Sequence, residues 1–182
     1  MNSFSFYDPI ADDLERVESL LRQRPAGQHE AVGEIVGRLI GAGGKRLRPA
    51  LVLLSAHLCG ADLKRATFAA AAVEMLHTAS LIHDDLIDDS SVRRGRETLN
   101  SHQPPGATVL VGDYLFAYAA NLATKTGNTR FVQRFAETLM NICGGEIQQM
   151  FDGPSQQISR REYEQRILAK TASLVAISAQ AG

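Results

Sequence analysis

Residues 81–100 read LIHDDLIDDSSVRRGRETLN and place four aspartates, Asp84, Asp85, Asp88 and Asp89, within six positions, with Arg93, Arg94 and Arg96 in the next seven. Read as a helix, the acidic part sets Asp84 and Asp88 one turn apart, roughly 40° around the axis, with Asp85 flanking them. Carboxylates so arranged repel unless a cation sits between them, and hard cations such as Mg²⁺ take oxygen ligands of this kind. An acidic run is ordinarily a solvated face. Here Leu81, Ile82, Leu86 and Ile87 interrupt the charges, so the helix has an apolar side and the carboxylates are held against a core. Acids followed at once by bases point to metal and phosphate bound together.

Upstream, residues 63–89 carry one long helical pattern or two consecutive helices, with alanines at 69–72 that allow close packing. His77 precedes Asp84 by seven positions, on nearly the same face and roughly 10 Å along the axis. A lone helical histidine is more often a satisfied core residue; alignment with the aspartates favours a ligand contact. Before this lies GGKRLRPALVLLSAHLCG, residues 43–60. Gly43 and Gly44 let the backbone approach a ligand, and Lys45, Arg46 and Arg48 cluster before Pro49, a residue suited to a helix start. Such a cluster is either an anion site or a basic loop that caps a neighbour. The P-loop spacing is absent.

The remaining chain is helical in pattern. Asp8-Pro9 reads as an N-cap followed by proline, with Asp12 and Asp13 in the first turn as capping acids. Pro25-Ala26-Gly27 ends that helix, and a second starts near His29. Residues 107–123 and 131–151 form two long helices, Asp152-Gly153-Pro154 makes a turn, and Ser159 caps a final helix. Without period-2 alternation between hairpin turns, the expected fold is all-α, with seven or eight helices around one core in a single domain, residues 1–182.

The 182 residues are 45% hydrophobic and 21% charged, and 19 Lys plus Arg against 20 Asp plus Glu leave a net charge of −1. Balanced charge argues against a nucleic-acid partner. The two cysteines, Cys59 and Cys143, lack metal-type spacing and read as buried thiols in a reducing compartment. No apolar run reaches the ~18 residues of a membrane span, and no signal layout opens the chain. A cytoplasmic protein is expected.

Four motifs, GGKRLRP (43–49), EMLHTASLIHDDLIDDSSVRRGRETLN (74–100), GDYLFA (112–117) and AKTASL (169–174), resemble in order and spacing the trans-isoprenyl diphosphate synthases, or polyprenyl synthetases. The resemblance runs from about residue 33 to the end. It implies an isoprenoid-synthase-type helical bundle around a central cavity, incomplete at the C-terminus. The implied activity is Mg²⁺-dependent, head-to-tail joining of isopentenyl diphosphate to the prenyl group of an allylic diphosphate, whose diphosphate leaves as inorganic diphosphate, with loss of a proton. Asp84, Asp85 and Asp88 match the first aspartate-rich motif, with Asp84 and Asp88 as the direct metal ligands. Arg93 matches the arginine that contacts the allylic diphosphate. Lys45, Arg48, His77 and Arg94 match the metal-free isopentenyl diphosphate pocket, and Lys170 and Thr171 the pair that reaches the leaving group. The chain-length positions before the first aspartate are Ser80 and Ala79, both small, with Leu76 and Met75 further along. A product longer than farnesyl follows by resemblance. The family also implies a homodimer through the helices at 107–123 and 131–151.

One departure matters. The family's second aspartate-rich motif, which follows the Lys-Thr pair, has no counterpart here: Asp152 is solitary and Asp12-Asp13 precede the first motif. The expectation is a truncated piece of a full enzyme, ahead of a natural half-length subunit completed by another chain, and little or no activity from this chain alone. A class I terpene cyclase also uses DDxxD but has no use for Lys45, Arg48 and Arg94.

Overall fold

The computed structural model describes residues 5–23, 30–41, 43–152 and 159–182. Within them a 3₁₀ turn, Asp8–Ile10, leads into α1 (Ala11–Arg22), followed by α2 (Glu30–Gly41), α3 (Leu47–Cys59) and α4 (Leu63–Ile87). A two-residue antiparallel hairpin, Val92–Arg93 against Arg96–Glu97, and a 3₁₀ turn, Leu99–Ser101, connect to α5 (Pro105–Thr124). Then come α6 (Thr129–Asp152), α7 (Arg160–Ile167), a π turn over Leu168–Ala172 and α8 (Ser173–Gln180). The expected all-α fold is observed. The pattern over 63–89 is one helix, and the turns at Pro25-Ala26-Gly27 and Gly153-Pro154, with the start near His29, lie outside the described residues.

The axis of the bundle is α4. It is apolar or small on nearly every side, as a helix surrounded by others must be, and Ala69, Ala70, Ala71 and Ala72 are at most 2% exposed. Their short side chains let α3 and α5 lie close against it, and α1 joins the same layer. Asp62 starts the helix by accepting from the backbone N–H groups of Lys64 (2.9 Å) and Arg65 (3.4 Å). α5 runs beside α4 along much of its length, and Tyr118 from α5 donates its hydroxyl to the carbonyls of Leu20 (3.2 Å) and Gln23 (3.4 Å) at the end of α1. Ser159 caps α7 as expected, in a capping box with Glu162.

Three local expectations are corrected. Asp8 is not an N-cap; it lies inside the 3₁₀ turn, and its carboxylate accepts from the Ser5 N–H at 2.8 Å. Asp13 is more than a capping acid: buried, it accepts from Arg16 at 2.8 Å and meets His57 Nε2 at 2.9 Å, tying α1 to the end of α3. Both cysteines are exposed. Cys59 is the last residue of α3, and Cys143 sits on a face of α6 where Met140 and Ile147 are also open to solvent.

The contact between α4 and α5 depends on Gly112. A Cβ built there would lie 2.2 Å from His83 Nε2, and that ring is held edge-on against Phe116 with centroids 5.2 Å apart. Gly112→Ala should therefore destabilise the chain by about 1–3 kcal/mol through overpacking. In a denaturation double-mutant cycle, His83→Ala should recover much of that loss, whereas additive effects would show that the ring is not the obstacle.

Candidate active site at the C-terminal end of α4

The helical wheel sends neighbouring side chains of α4 about 100° apart, and two chemically different sites result. On one side, Asp84 faces Lys170, Glu146 and Asp88. Lys170 Nζ lies 2.8 Å from Glu146 Oε1. Burial pushes the Asp84 carboxyl above the usual carboxylate range; Lys170 pulls it back, and Glu146 and Asp88 push it up further. Burial alone would lower the Lys170 ammonium, but the Glu146 hydrogen bond with Asp84 and Asp88 reverses this and raises it.

Lys170 reaches the aspartates from the π turn, Leu168–Ala172. Such turns insert an extra residue per turn and re-aim side chains, often at functional positions. Gly145 makes the approach possible, since a Cβ there would lie 2.6 Å from the Cβ of Ala169. Thr171, on the same turn, is exposed.

Asp85 turns away from its neighbours, contrary to the expectation that it flanks them on one side. It is 8% exposed and pairs with Arg93 Nε at 2.6 Å, while its backbone carbonyl accepts from Asn100 Nδ2 at 3.3 Å. This pair joins α4 to the hairpin, where Arg94 (φ 52°) and Gly95 (φ 75°) form the left-handed turn.

Behind the hairpin is a cavity of about 540 Å³ whose wall includes Lys45, Arg48, His77, Asp85, Arg93 and Arg94. Four of these are cations from two distant stretches. The Arg48 Nε is buried without a hydrogen-bond acceptor among the described residues, an open donor aimed at no protein group. Burial lowers the Arg48 guanidinium from its usual value; Glu74 raises it and Arg94 lowers it. His77 is depressed to about 3, first by burial and then by Arg48, Arg94 and Arg93, so its imidazole is neutral and can share a hydrogen bond without adding charge.

The expected residues thus fall into an acidic group, Asp84 and Asp88 with Lys170, and a cationic cavity, Lys45, Arg48, His77, Arg93 and Arg94. Of the chain-length positions, Leu76 and Ala79 are fully buried and Ser80 is half-buried, its hydroxyl donating to the His77 carbonyl at 2.9 Å. Reading the sequence missed Glu146, which pairs with Lys170, and Glu74, which balances the arginines. A charged residue on a long helix directly after Gly144-Gly145 was the available signal for Glu146.

Among the described residues no group of three His, Cys, Asp or Glu side chains could hold a metal ion. Asp84 and Asp88 supply two hard oxygen donors. That donor set fits a cation completing its shell with water and phosphate oxygens, as Mg²⁺ does. No described helix is long and apolar enough to cross a membrane.

A family model for polyprenyl synthetase matches residues 29–182. The chain is 40% identical over 178 residues to heptaprenyl diphosphate synthase component 2 of Geobacillus stearothermophilus, covering 98% of this chain and 56% of that protein. A crystal structure of a decaprenyl diphosphate synthase from Rhodobacter capsulatus superposes with a TM-score of 0.90 at 39% identity, over 96% of this chain and 54% of that one. A polyprenyl synthase from Caulobacter crescentus CB15, solved with calcium and isoprenyl diphosphate, gives 0.87 at 35% identity, over 97% and 54%. The chain spans about half the length of the curated relatives it matches. With helices, motifs and the family model in agreement, this chain belongs to the polyprenyl synthetase family.

Proposed function

We propose that the chain forms the N-terminal part of a trans-prenyltransferase that condenses isopentenyl diphosphate with an allylic diphosphate and extends the product beyond farnesyl length. The observation that carries this reading is the pairing of two anion-directed sites around one end of α4. One is acidic and needs a cation; the other is a cavity of cations that needs none. Two diphosphates held by different chemistries suit a reaction that must ionise one substrate and keep the other intact.

In this reading Asp84 and Asp88 would hold Mg²⁺, which when bound would supply charge neutralisation for the departing diphosphate. Lys170 and Thr171, carried by the π turn, meet the departing oxygens, where preorganised positive charge has most effect. Arg93, tethered by Asp85, stands between the two sites. Lys45, Arg48 and Arg94 grip isopentenyl diphosphate directly, and neutral His77 contributes a hydrogen bond. Holding both substrates fixes the double bond against the developing cation. The proton lost at the end passes to the released diphosphate. A class I terpene cyclase would leave the cationic cavity without purpose, and consumption of isopentenyl diphosphate separates the two activities.

The length of the product follows from Ser80, one turn before Asp84 on the same face, and from Ala79 and Leu76, small or apolar positions nearby. Support comes from relatives named for heptaprenyl and decaprenyl products. A homodimer, or completion by another chain, is part of the proposal; Leu110, Met140, Ile147, Met150 and Phe151 leave apolar surface on α5 and α6 for such a partner. Charged diphosphates do not cross bilayers unaided, so the cytoplasm is the compartment proposed.

The direct test measures prenyl transfer from farnesyl diphosphate at saturating Mg²⁺ in the enzyme containing this chain. Asp84→Asn should lower kcat by roughly 10²–10³-fold, in the range of lost transition-state charge stabilisation. Arg48→Met should chiefly raise the KM for isopentenyl diphosphate. Equal effects of both variants on both substrates would defeat the division into two sites. Ser80→Phe should shorten the product; Ala79→Phe should do so too, with a stability loss of about 1–3 kcal/mol because that position is fully packed. An unchanged product distribution in both would remove these positions from length control.

His77 offers a test that needs no turnover. Its folded value, about 3 against an ordinary 6.5, means that between these values the unfolded chain binds a proton that the folded chain refuses. Its contribution to stability is therefore present above pH 6.5 and is lost as pH falls toward 3. By NMR the His77 ring should stay neutral down to about pH 4. Metal-free inorganic diphosphate should raise its titration point by offsetting the arginines. Ordinary titration in the free chain would show that neither burial nor the arginines hold the ring neutral.

A further inference from the structure

The motif KRLR places three cations in four residues, yet they do different work. Arg46 lines the same cavity, as does Glu74, but its guanidinium is taken up by protein oxygens. Its Nε donates to Glu18 Oε1, Nη1 to Glu74 Oε1 at 2.9 Å, and Nη2 to Glu18 Oε2 at 3.3 Å and the Ile40 carbonyl at 3.1 Å. Four of its five N–H donors are thus taken by protein oxygens. Arg48, two residues on, keeps a buried Nε with no acceptor among the described residues.

Arg46 is also one of three non-glycine residues with positive φ among those described, at 48°. A left-handed residue with a long side chain costs about 1–2 kcal/mol and persists only where its surroundings hold it. This one immediately precedes α3 and turns the chain between Lys45 and the first helical residues. The same loop is gripped from outside, because the Tyr7 hydroxyl donates to the Lys45 carbonyl. Glu18 lies on α1 and Tyr7 just before it, and no residue of α1 lines the cavity.

We propose that Arg46 is a positioning residue for the metal-free diphosphate pocket. Anchored by Glu18, Glu74 and the Ile40 carbonyl, it holds the left-handed turn that presents Lys45 and Arg48 to the ligand, and the N-terminal segment thereby sets the affinity of a pocket it does not touch. The inference rests on the reading of that cavity as a diphosphate site.

Glu18 gives a test whose sign separates positioning from simple electrostatics. Glu18 is an anion near an anion site, so by Coulomb's law neutralising it should tighten diphosphate binding or leave it unchanged. Positioning predicts the reverse. Binding of inorganic diphosphate, with EDTA present, is measured by calorimetry on the chain well below its melting temperature. Glu18→Gln should weaken it by roughly 5–20-fold, consistent with losing hydrogen bonds to a charged group. Tyr7→Phe, which removes one hydroxyl, should weaken it by about 2–5-fold. Arg46→Lys should not restore wild-type affinity, since an ammonium cannot span both carboxylates as the fork does. A purely structural role would lower the melting temperature without changing affinity in the folded chain. Should Glu18→Gln fail to fold, Tyr7→Phe decides. Wild-type affinity or tighter in Glu18→Gln, or unchanged affinity in Tyr7→Phe where that variant decides, would overturn the inference. Failure of the unaltered chain to bind metal-free diphosphate would fall on the pocket reading itself.

Discussion

Like charges held a few ångströms apart repel strongly wherever water is partly excluded, and the end of α4 carries two such crowds. Arg48, Arg93 and Arg94 surround His77, while Asp84, Asp88 and Glu146 surround Lys170. Neither crowd is left bare. Glu74 and Asp85 supply counter-charge to the arginines, and Lys170 supplies it to the acids. The balance is partial, which suits sites meant to be completed by a ligand of the opposite sign. A fully paired cluster would have no open donor left, and an unpaired one would carry the full cost of buried like charge.

That constraint sets demands on the scaffold. Two repelling groups on adjacent faces of one helix need a stiff helix end, and α4 is made stiff by burial. Its alanine-rich middle brings α3 and α5 close. Two glycines then permit contacts that side chains would block. Gly112 admits the His83 ring between α4 and α5, and Gly145 admits Ala169 and so brings the π turn within reach of the aspartates. Arg46 extends the same logic through α1, joining Glu18 and Glu74 across the loop that carries Lys45 and Arg48. The N-terminal helix is thereby tied to α4 through one guanidinium.

Much of this was legible in the chain. Apolar spacing determined the helices and the all-α class, while the central stretch read as one long helix or two in succession, and the structure shows one, unbroken by proline or glycine. The i,i+4 relation of Asp84 and Asp88 follows from helical geometry alone, and the Ser159 cap was readable because its Glu162 partner lies three residues away. The grouping of Lys45, Arg48, His77 and Arg94 came from resemblance rather than spacing.

What the tertiary structure decided concerns partners far apart in sequence. Asp85 was expected to flank Asp84 and Asp88 until the hairpin brought Arg93 to it, and Arg46 was read only as one of a basic cluster until α1 and α4 supplied two carboxylates, each 28 residues away. Asp13 looked like a helix cap until His57 met it from α3, and the cysteines looked buried because composition cannot tell which face of a helix another element covers. The sequence by itself determined where the helices run and which residue types cluster along them. Which of two like neighbours is bound to protein groups was decided only by packing, because the charge that meets a side chain arrives from another part of the chain.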